Sequence, residues 1–323
     1  MTRRSDRGVA GGSASDGPVP VLKEEIAKRL RAGGLDPADV SAVVAAALAE
    51  DLAGGADVTT AATVPAGDLG RAEVVARAAG VVAGLPVAET TFWLASDGGT
   101  LACTPRAADG DRVAAGQSVL TVTGPIGPLL TAERTALNLL CHLSGVATLT
   151  RQWADAVAGT RARIRDTRKT IPGLRALEKY AVRCGGGVNH RMSLSDAALI
   201  KDNHVAAAGS VSAAFAAVRA RAPGLPLEVE CDTLDQVAEA LAAGADLILL
   251  DNFAIADITA AVNLAAGRAL LEVSGGLTLD RASSVAATGV DYLAVGALTH
   301  SAPALDFGLD LLSPANASGA PCC

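Results

Sequence analysis

From Arg161 onward the chain repeats one unit: a short run rich in leucine and β-branched residues, a polar residue at its end, then an alanine-rich stretch with helical spacing. The runs are RARIRD ending at Asp166, ALIKD at Lys201 and Asp202, LEVEC with Glu230, LILLD at Asp251, LLEVSGG with Ser274 and YLAVG at Gly296. Helices are expected over 174–182, 212–221, 234–243, 256–266 and 280–288. Strand and helix alternate, with strand ends roughly 20 to 35 residues apart. Parallel strands need such a crossover, and the helices must then cover the sheet. The pattern predicts parallel βα units forming a barrel, with six units where eight are usual. In such barrels chemistry gathers at the C-terminal strand ends, which here carry Asp166, Arg168, Lys169, Lys201, Glu230, Asp251 and Ser274.

The first two of those ends lie in a strongly basic stretch. Residues 161–201 hold ten of the 27 Lys and Arg but only three of the 34 acidic residues, a local excess of +7 in a chain of net charge -7. Like charges crowd in this way where an anion compensates them. Within the stretch, DTRKT with Thr167, Arg168 and Lys169, RCGGGVNHR with His190 and Arg191, and LIKDNH with Lys201 combine cations with glycines that allow close backbone approach. That combination predicts a pocket for phosphates and carboxylates. Lys201 closes an apolar strand, where a lysine is costly unless it faces a polar cavity, so it serves as an anion clamp or a Schiff-base lysine. Glu230 and Asp251 end consecutive strands, so their carboxylates converge on Mg2+ or pair with the neighbouring cations. Ser274, Gly275 and Gly276, and then Val295, Gly296 and Ala297, end the last two strands with small residues that expose amides, a frequent phosphate position in barrels.

The N-terminal part follows another pattern. Residues 21–50 are helical in spacing, and 72–124 alternate apolar and polar positions, predicting an antiparallel sheet packed by helices. DGDRVAAGQSVLTVTG resembles the glycine-turned hairpins of a biotin or lipoyl carrier, but it has no lysine to modify. Thr131 is expected to N-cap a helix, TAERTALNLLCHLSG, on which Arg134, Asn138 and His142 form a polar stripe. The six cysteines are scattered without CxxC spacing, which fits reduced thiols in the cytoplasm better than a zinc site or a disulfide framework. Neither a signal-peptide core nor an apolar run near the roughly 20 residues needed to span a bilayer is present, so no membrane partner is expected. Overall acidity and 2% aromatic content argue against nucleic acid as the partner of the basic stretch.

Together, TAERTALN, SGVAT, DTRKTIPGLRALEKYAVRCGGGVNHR, LIKDNH, LEVE, LLDNF, EVSGG and DYLAVGALTHS strongly resemble the quinolinate phosphoribosyltransferases, over residues 35 to 312. The resemblance implies an α/β fold: an N-terminal open-faced α/β sandwich over 20–145, to which 301–313 return, and an incomplete six-unit α/β barrel over 146–300. Residues 1–19 and 314–323 are then flexible tails. It implies a pentosyltransferase that joins phosphoribosyl pyrophosphate to quinolinate with decarboxylation, giving nicotinate mononucleotide, CO2 and pyrophosphate for NAD synthesis. Carried over by position, Arg134, Arg168, His190, Arg191 and Lys201 bind quinolinate, and Lys169 lies near both substrates. Glu230 and Asp251 surround the ribose and its Mg2+, and the loops 274–276 and 295–297 hold the 5-phosphate. The family's oligomers are dimers or larger and share active sites, Arg134 coming from the neighbouring chain. The stretch EDLAGGADVTT departs slightly from the family's usual EDLGxGDxT.

Overall fold

The computed structural model describes residues 22–96 and 99–312; the tails expected at 1–19 and 314–323 lie outside the described residues. The first part comprises α1 (Glu24–Ala32), α2 (Pro37–Asp51), α3 (Val58–Thr63), β1 (Leu69–Ala76), β2 (Gly80–Val81), α4 (Leu85–Ala95), β3 (Ala102–Pro105), β4 (Arg112–Val113), β5 (Ser118–Pro125) and α5 (Ile126–Ala156). Local chemistry starts α2 sharply: the Asp36 carboxylate accepts the Ala38 N–H at 2.8 Å and proline occupies the first helical position. In the EDLAGGADVTT stretch, Asp57 caps α3 by accepting from the Thr60 amide and hydroxyl. Strands β1, β5 and β3 form an antiparallel sheet whose other edge is the last strand of the chain, β12 (Phe307–Leu312), in the order β12-β1-β5-β3. One face buries Val74 and Val122 against Phe92, Leu129 and Leu140 of the helices, while Arg71 and Glu73 pair on the other at 2.9 Å.

Two expectations for this part need correction. Residues 72–124 are not strand throughout, because α4 lies in their midst. Its residues 85–92 are all buried, and a helix buried on every side shows no apolar stripe to betray its period. The helix expected to begin at Thr131 instead starts five residues earlier, after Pro125, and runs for 31 residues. Pro128 falls in its first turn, where no N–H is needed for the ladder, so this proline does not break it. Thr131 is an interior residue. Further along α5, a Cβ on Gly145 would come within 2.2 Å of the Pro303 carbonyl, so only glycine lets the chain returning to β12 cross there at backbone contact.

The second part carries the six βα units: β6 (Arg163–Arg165), α6 (Arg175–Cys184), β7 (Ala198–Ile200), α7 (Asp202–Ala208), α8 (Val211–Arg221), β8 (Leu227–Cys231), α9 (Leu234–Ala242), β9 (Leu247–Asp251), α10 (Ile255–Ala265), β10 (Leu270–Ser274), α11 (Leu279–Ala286), β11 (Tyr292–Ala294) and α12 (Ala297–His300). The six strands are parallel, in the order β6-β11-β10-β9-β8-β7. Strands β6 and β7 do not pair with each other in this sheet, and the loop after α6 enters the opening, where Val188 bridges to Arg165. The barrel is therefore incomplete. Val229, Ile248, Leu250, Leu271, Val273 and Leu293 are buried in it, the near-continuous apolar strands that helices outside and packing inside require. Among the described residues, no single helix is long and apolar enough to cross a membrane.

Candidate active site

A cavity of about 370 Å3 opens at the C-terminal ends of the barrel strands. Strand alternation builds its far wall in two rungs. Glu230 of β8 is level with Leu249 of β9 and Glu272 of β10, and the next inward pair is Asp251 of β9 with Ser274 of β10. Six of the thirteen lining residues sit instead around the opening between β6 and β7: Thr167, Arg168 and Lys169 after β6, His190 and Arg191 in the loop, and Lys201 at the end of β7. Topology thus places four cations on one wall and the Glu230 and Asp251 carboxylates on the other. Lys201 Nζ contacts Glu230 where the walls meet.

Each cation is held at its backbone. The Thr167 hydroxyl accepts the Lys169 N–H at 3.0 Å, and the buried Thr299 donates to the Lys169 carbonyl at 2.7 Å. Arg191 donates from Nη1 to the Ala197 carbonyl at 2.9 Å, while its own N–H goes to His190 Nδ1 at 2.7 Å. Arg168 Nε is buried without a hydrogen-bond partner among the described residues, a cost that a bound carboxylate removes. Gly296 leaves room for the Lys169 stem, since a Cβ there would lie 3.0 Å from its Cδ. Gly296→Ala is expected to lower kcat about tenfold by displacing the ammonium, with little change in Tm, as steady-state kinetics and a thermal melt would show.

Of the residues expected at the site, Thr167, Arg168, Lys169, His190, Arg191, Lys201, Glu230, Asp251 and Ser274 line this cavity together. Gly275 and Gly276 follow Ser274 with positive φ of 87° and 56°. Val295 is buried and its N–H is committed to the Arg165 carbonyl at 2.9 Å, so in the last loop only Gly296 and Ala297 are placed to face a ligand. Arg134 is elsewhere: exposed on α5, it lines a separate hollow with Asp51, Asp57 and Thr131, and no residue of that hollow lines the barrel cavity. Asp166 follows the last residue of β6 but is fully buried, its carboxylate accepting from Lys179 Nζ at 2.5 Å, the His190 N–H at 2.8 Å and Asn189. It braces the loop instead of facing a ligand.

Glu228 and Glu272 escaped sequence reasoning. The signal was present in EVE (228–230) and EVS (272–274), because a residue two before an inward strand end shares its face. Glu272 Oε2 accepts from Arg165 Nη1 at 2.5 Å, and Glu228 Oε2 lies 2.6 Å from His190 Nε2. Burial pushes both carboxyls up to about 7 and holds the His190 imidazolium down to about 4.

A barrel whose mouth sets a cation cluster against a wall of carboxylates defines an enzyme that joins polyanionic substrates. The chain belongs to the quinolinate phosphoribosyltransferase family: residues 57–144 match its N-terminal domain and 146–310 its C-terminal domain. It is 57% identical over 272 residues to the nicotinate-nucleotide pyrophosphorylase (carboxylating) of Mycobacterium leprae, covering 82% of this chain and 94% of that one. A probable nicotinate-nucleotide pyrophosphorylase of Bacillus subtilis is 41% identical, over 78% of this chain and 86% of that one. The crystal structure of NadC from Streptococcus pyogenes superposes with a TM-score of 0.82 at 43% identity, covering 86% of this chain and 99% of that one. The nicotinate-nucleotide pyrophosphorylase of Francisella tularensis gives 0.81 at 37%, with 85% and 96% covered.

Proposed function

We propose that the barrel cavity transfers the phosphoribosyl group of phosphoribosyl pyrophosphate to the nitrogen of quinolinate, with loss of the 2-carboxylate as CO2, giving nicotinate mononucleotide and pyrophosphate for NAD synthesis in the cytoplasm. The observation that carries this reading is the division of the cavity into a cationic and an acidic wall. Bringing a dianion against a pyrophosphate ester costs roughly 1 to 4 kcal/mol for each close charge pair, which Arg168, Lys169, Arg191 and Lys201 offset. Arg168 and Arg191 fork onto the two carboxylates, with Arg134 completing the seat from the second chain of a homodimer or larger oligomer. His190, with both ring nitrogens engaged, acts by holding the Arg191 backbone.

The opposite wall takes the sugar. Glu230 and Asp251 face the ribose, and the 5-phosphate rests on Ser274, Gly275, Gly276, Gly296 and Ala297. The two carboxylates suit Mg2+, which keeps several waters and needs only one or two protein oxygens beside substrate phosphates. Held by Glu230 and Asp251, Mg2+ would supply positive charge to offset that of the pyrophosphate leaving group. Lys169, anchored by Thr167 and Thr299, reaches between the substrates while the pyridine nitrogen attacks the oxocarbenium-like ribose carbon.

The test is incubation with quinolinate, phosphoribosyl pyrophosphate and Mg2+, following nicotinate mononucleotide and CO2; their absence defeats the reading. Glu230→Ala and Asp251→Ala are each expected to raise the KM for phosphoribosyl pyrophosphate at least about tenfold, with calorimetric quinolinate affinity changing less than about threefold. Collapse of quinolinate affinity with the other ligand unaffected would reverse the roles of the two walls.

A further inference from the structure

Beneath the cations lies a second set of ionisable groups to which the reaction as derived assigns no task. Glu272 lines the cavity, level with Leu249 and Glu230, and is itself fully buried. Its Oε2 is taken by Arg165, while its Oε1 has no hydrogen-bond partner among the described residues. Glu228 is in the same state, with Oε2 facing His190 and Oε1 bare. The imidazole beside them is fully engaged: Nδ1 accepts the Arg191 N–H, so the ring proton sits on Nε2, which points at Glu228 and lies 3.8 Å from Glu272.

The charged groups facing Glu272 are therefore Arg165 from β6, whose guanidinium lies 4.8 Å over the Tyr292 ring of β11, Glu228 from β8, and His190 from the loop. Arg191, Lys201 and Glu230 act from farther off, through Glu228. One guanidinium in contact with Glu272, and acting on Glu228 only through its charge, leaves excess negative charge on two buried carboxyls, and a bare carboxylate oxygen in a dry interior is the costliest arrangement it can adopt. A hydrogen on Oε1 relieves both costs and turns that oxygen into a donor at the cavity floor.

We propose that Glu272 is a neutral carboxylic acid at the cavity floor and the group that protonates the pyridine ring after CO2 departs. In the N-alkylated substrate the bond from ring C2 to its carboxylate carbon breaks, CO2 leaves, and the electron pair stays on C2, stabilised by the cationic ring nitrogen. The Glu272 O–H bond then breaks, its proton forms the new C2–H bond, and its electron pair stays on the carboxylate that Arg165 already faces. A solvent proton restores the acid as product leaves. The position of Glu272 agrees with this, as burial and the neighbouring Glu228 both favour the protonated form near neutral pH. The neighbouring imidazole is no rival donor, being neutral with its one N–H turned to Glu228.

This inference rests on the activity proposed above, and its test separates the two. Glu272→Gln keeps the shape and an acceptor for Arg165 but has no acidic proton; Glu272→Asp keeps the acid one methylene shorter. Single turnovers are quenched with quinolinate, phosphoribosyl pyrophosphate and Mg2+, following pyrophosphate and nicotinate mononucleotide separately. Glu272→Gln is expected to form pyrophosphate within about threefold of wild type, while nicotinate mononucleotide slows roughly 100-fold or more and the dicarboxylate nucleotide builds up. Glu272→Asp should fall between. The wild-type protonation step should decline above about pH 7 as the acid ionises, and the residual Gln rate should be flat there. Wild-type formation of nicotinate mononucleotide by Glu272→Gln overturns the proposal and leaves Lys169 or Lys201 as donor. An equal fall in pyrophosphate, or loss of calorimetric quinolinate binding, also overturns it by making Glu272 a structural residue. Wild-type protein that forms no nicotinate mononucleotide defeats the underlying activity, and the proposal with it.

Discussion

Chains carrying Arg134→Ala, mixed with chains carrying Lys201→Ala, are expected to regain about one quarter of wild-type activity although each variant alone is inactive. The reason is the separation of these two residues within a single chain. Arg134 is exposed over a hollow beside α3, whereas Lys201 lines the barrel mouth, and the two openings share no lining residue. If the Arg134 guanidinium acts at a barrel mouth, this separation makes it the mouth of a second chain. In a two-fold dimer each mixed pair holds one site with both lesions and one with neither, and random pairing makes about half the dimers mixed. The measurement is activity after gentle unfolding and refolding of equal amounts, with mixed dimers counted by native mass spectrometry. If mixed dimers form and no activity returns, Arg134 serves its own chain.

Nicotinate is expected to be used about 10^4-fold less efficiently than quinolinate, as a ratio of kcat/KM. Arg168 and Arg191 flank one opening, and the buried Arg168 Nε has no hydrogen-bond partner among the described residues. A ligand lacking the 2-carboxylate leaves these cations desolvated and unpaired, a loss that an extra apolar contact cannot restore. Nicotinate also has no carboxylate to release from C2, so any turnover of it would give the same mononucleotide without CO2. Turnover of nicotinate within tenfold of quinolinate would show that the cationic wall does not read two adjacent carboxylates.

The six βα units were legible because their signals are local. LILLD and LEVEC are apolar runs of strand length, and Thr233 with Gln236 forms the capping box that starts α9. The cationic wall was legible for a related reason: its members fall within 41 consecutive residues, so crowding along the chain reported crowding in space. By contrast, α4 stayed hidden because burial on every side removes the period that marks a helix, and the start of α5 because prolines usually signal an end.

Charge density and strand period belong to neighbours in the chain, so the sequence alone determined the barrel, the anion-seeking mouth and most of the residues around it. Partnership belongs to neighbours in space, and only the tertiary structure decided it. Asp166 follows the end of β6 and Glu230 lies near the end of β8, yet one is buried under Lys179, Asn189 and the His190 amide while the other contacts Lys201 at the cavity. Glu228 and Glu272 lie 44 residues apart and read as ordinary strand positions until the parallel sheet and the loop after α6 bring both against His190. The local pattern records only that a side chain is acidic. Whether it solvates a surface, braces a loop or holds a proton depends on the dielectric and the charges around it, and those arrive from strands distant in sequence.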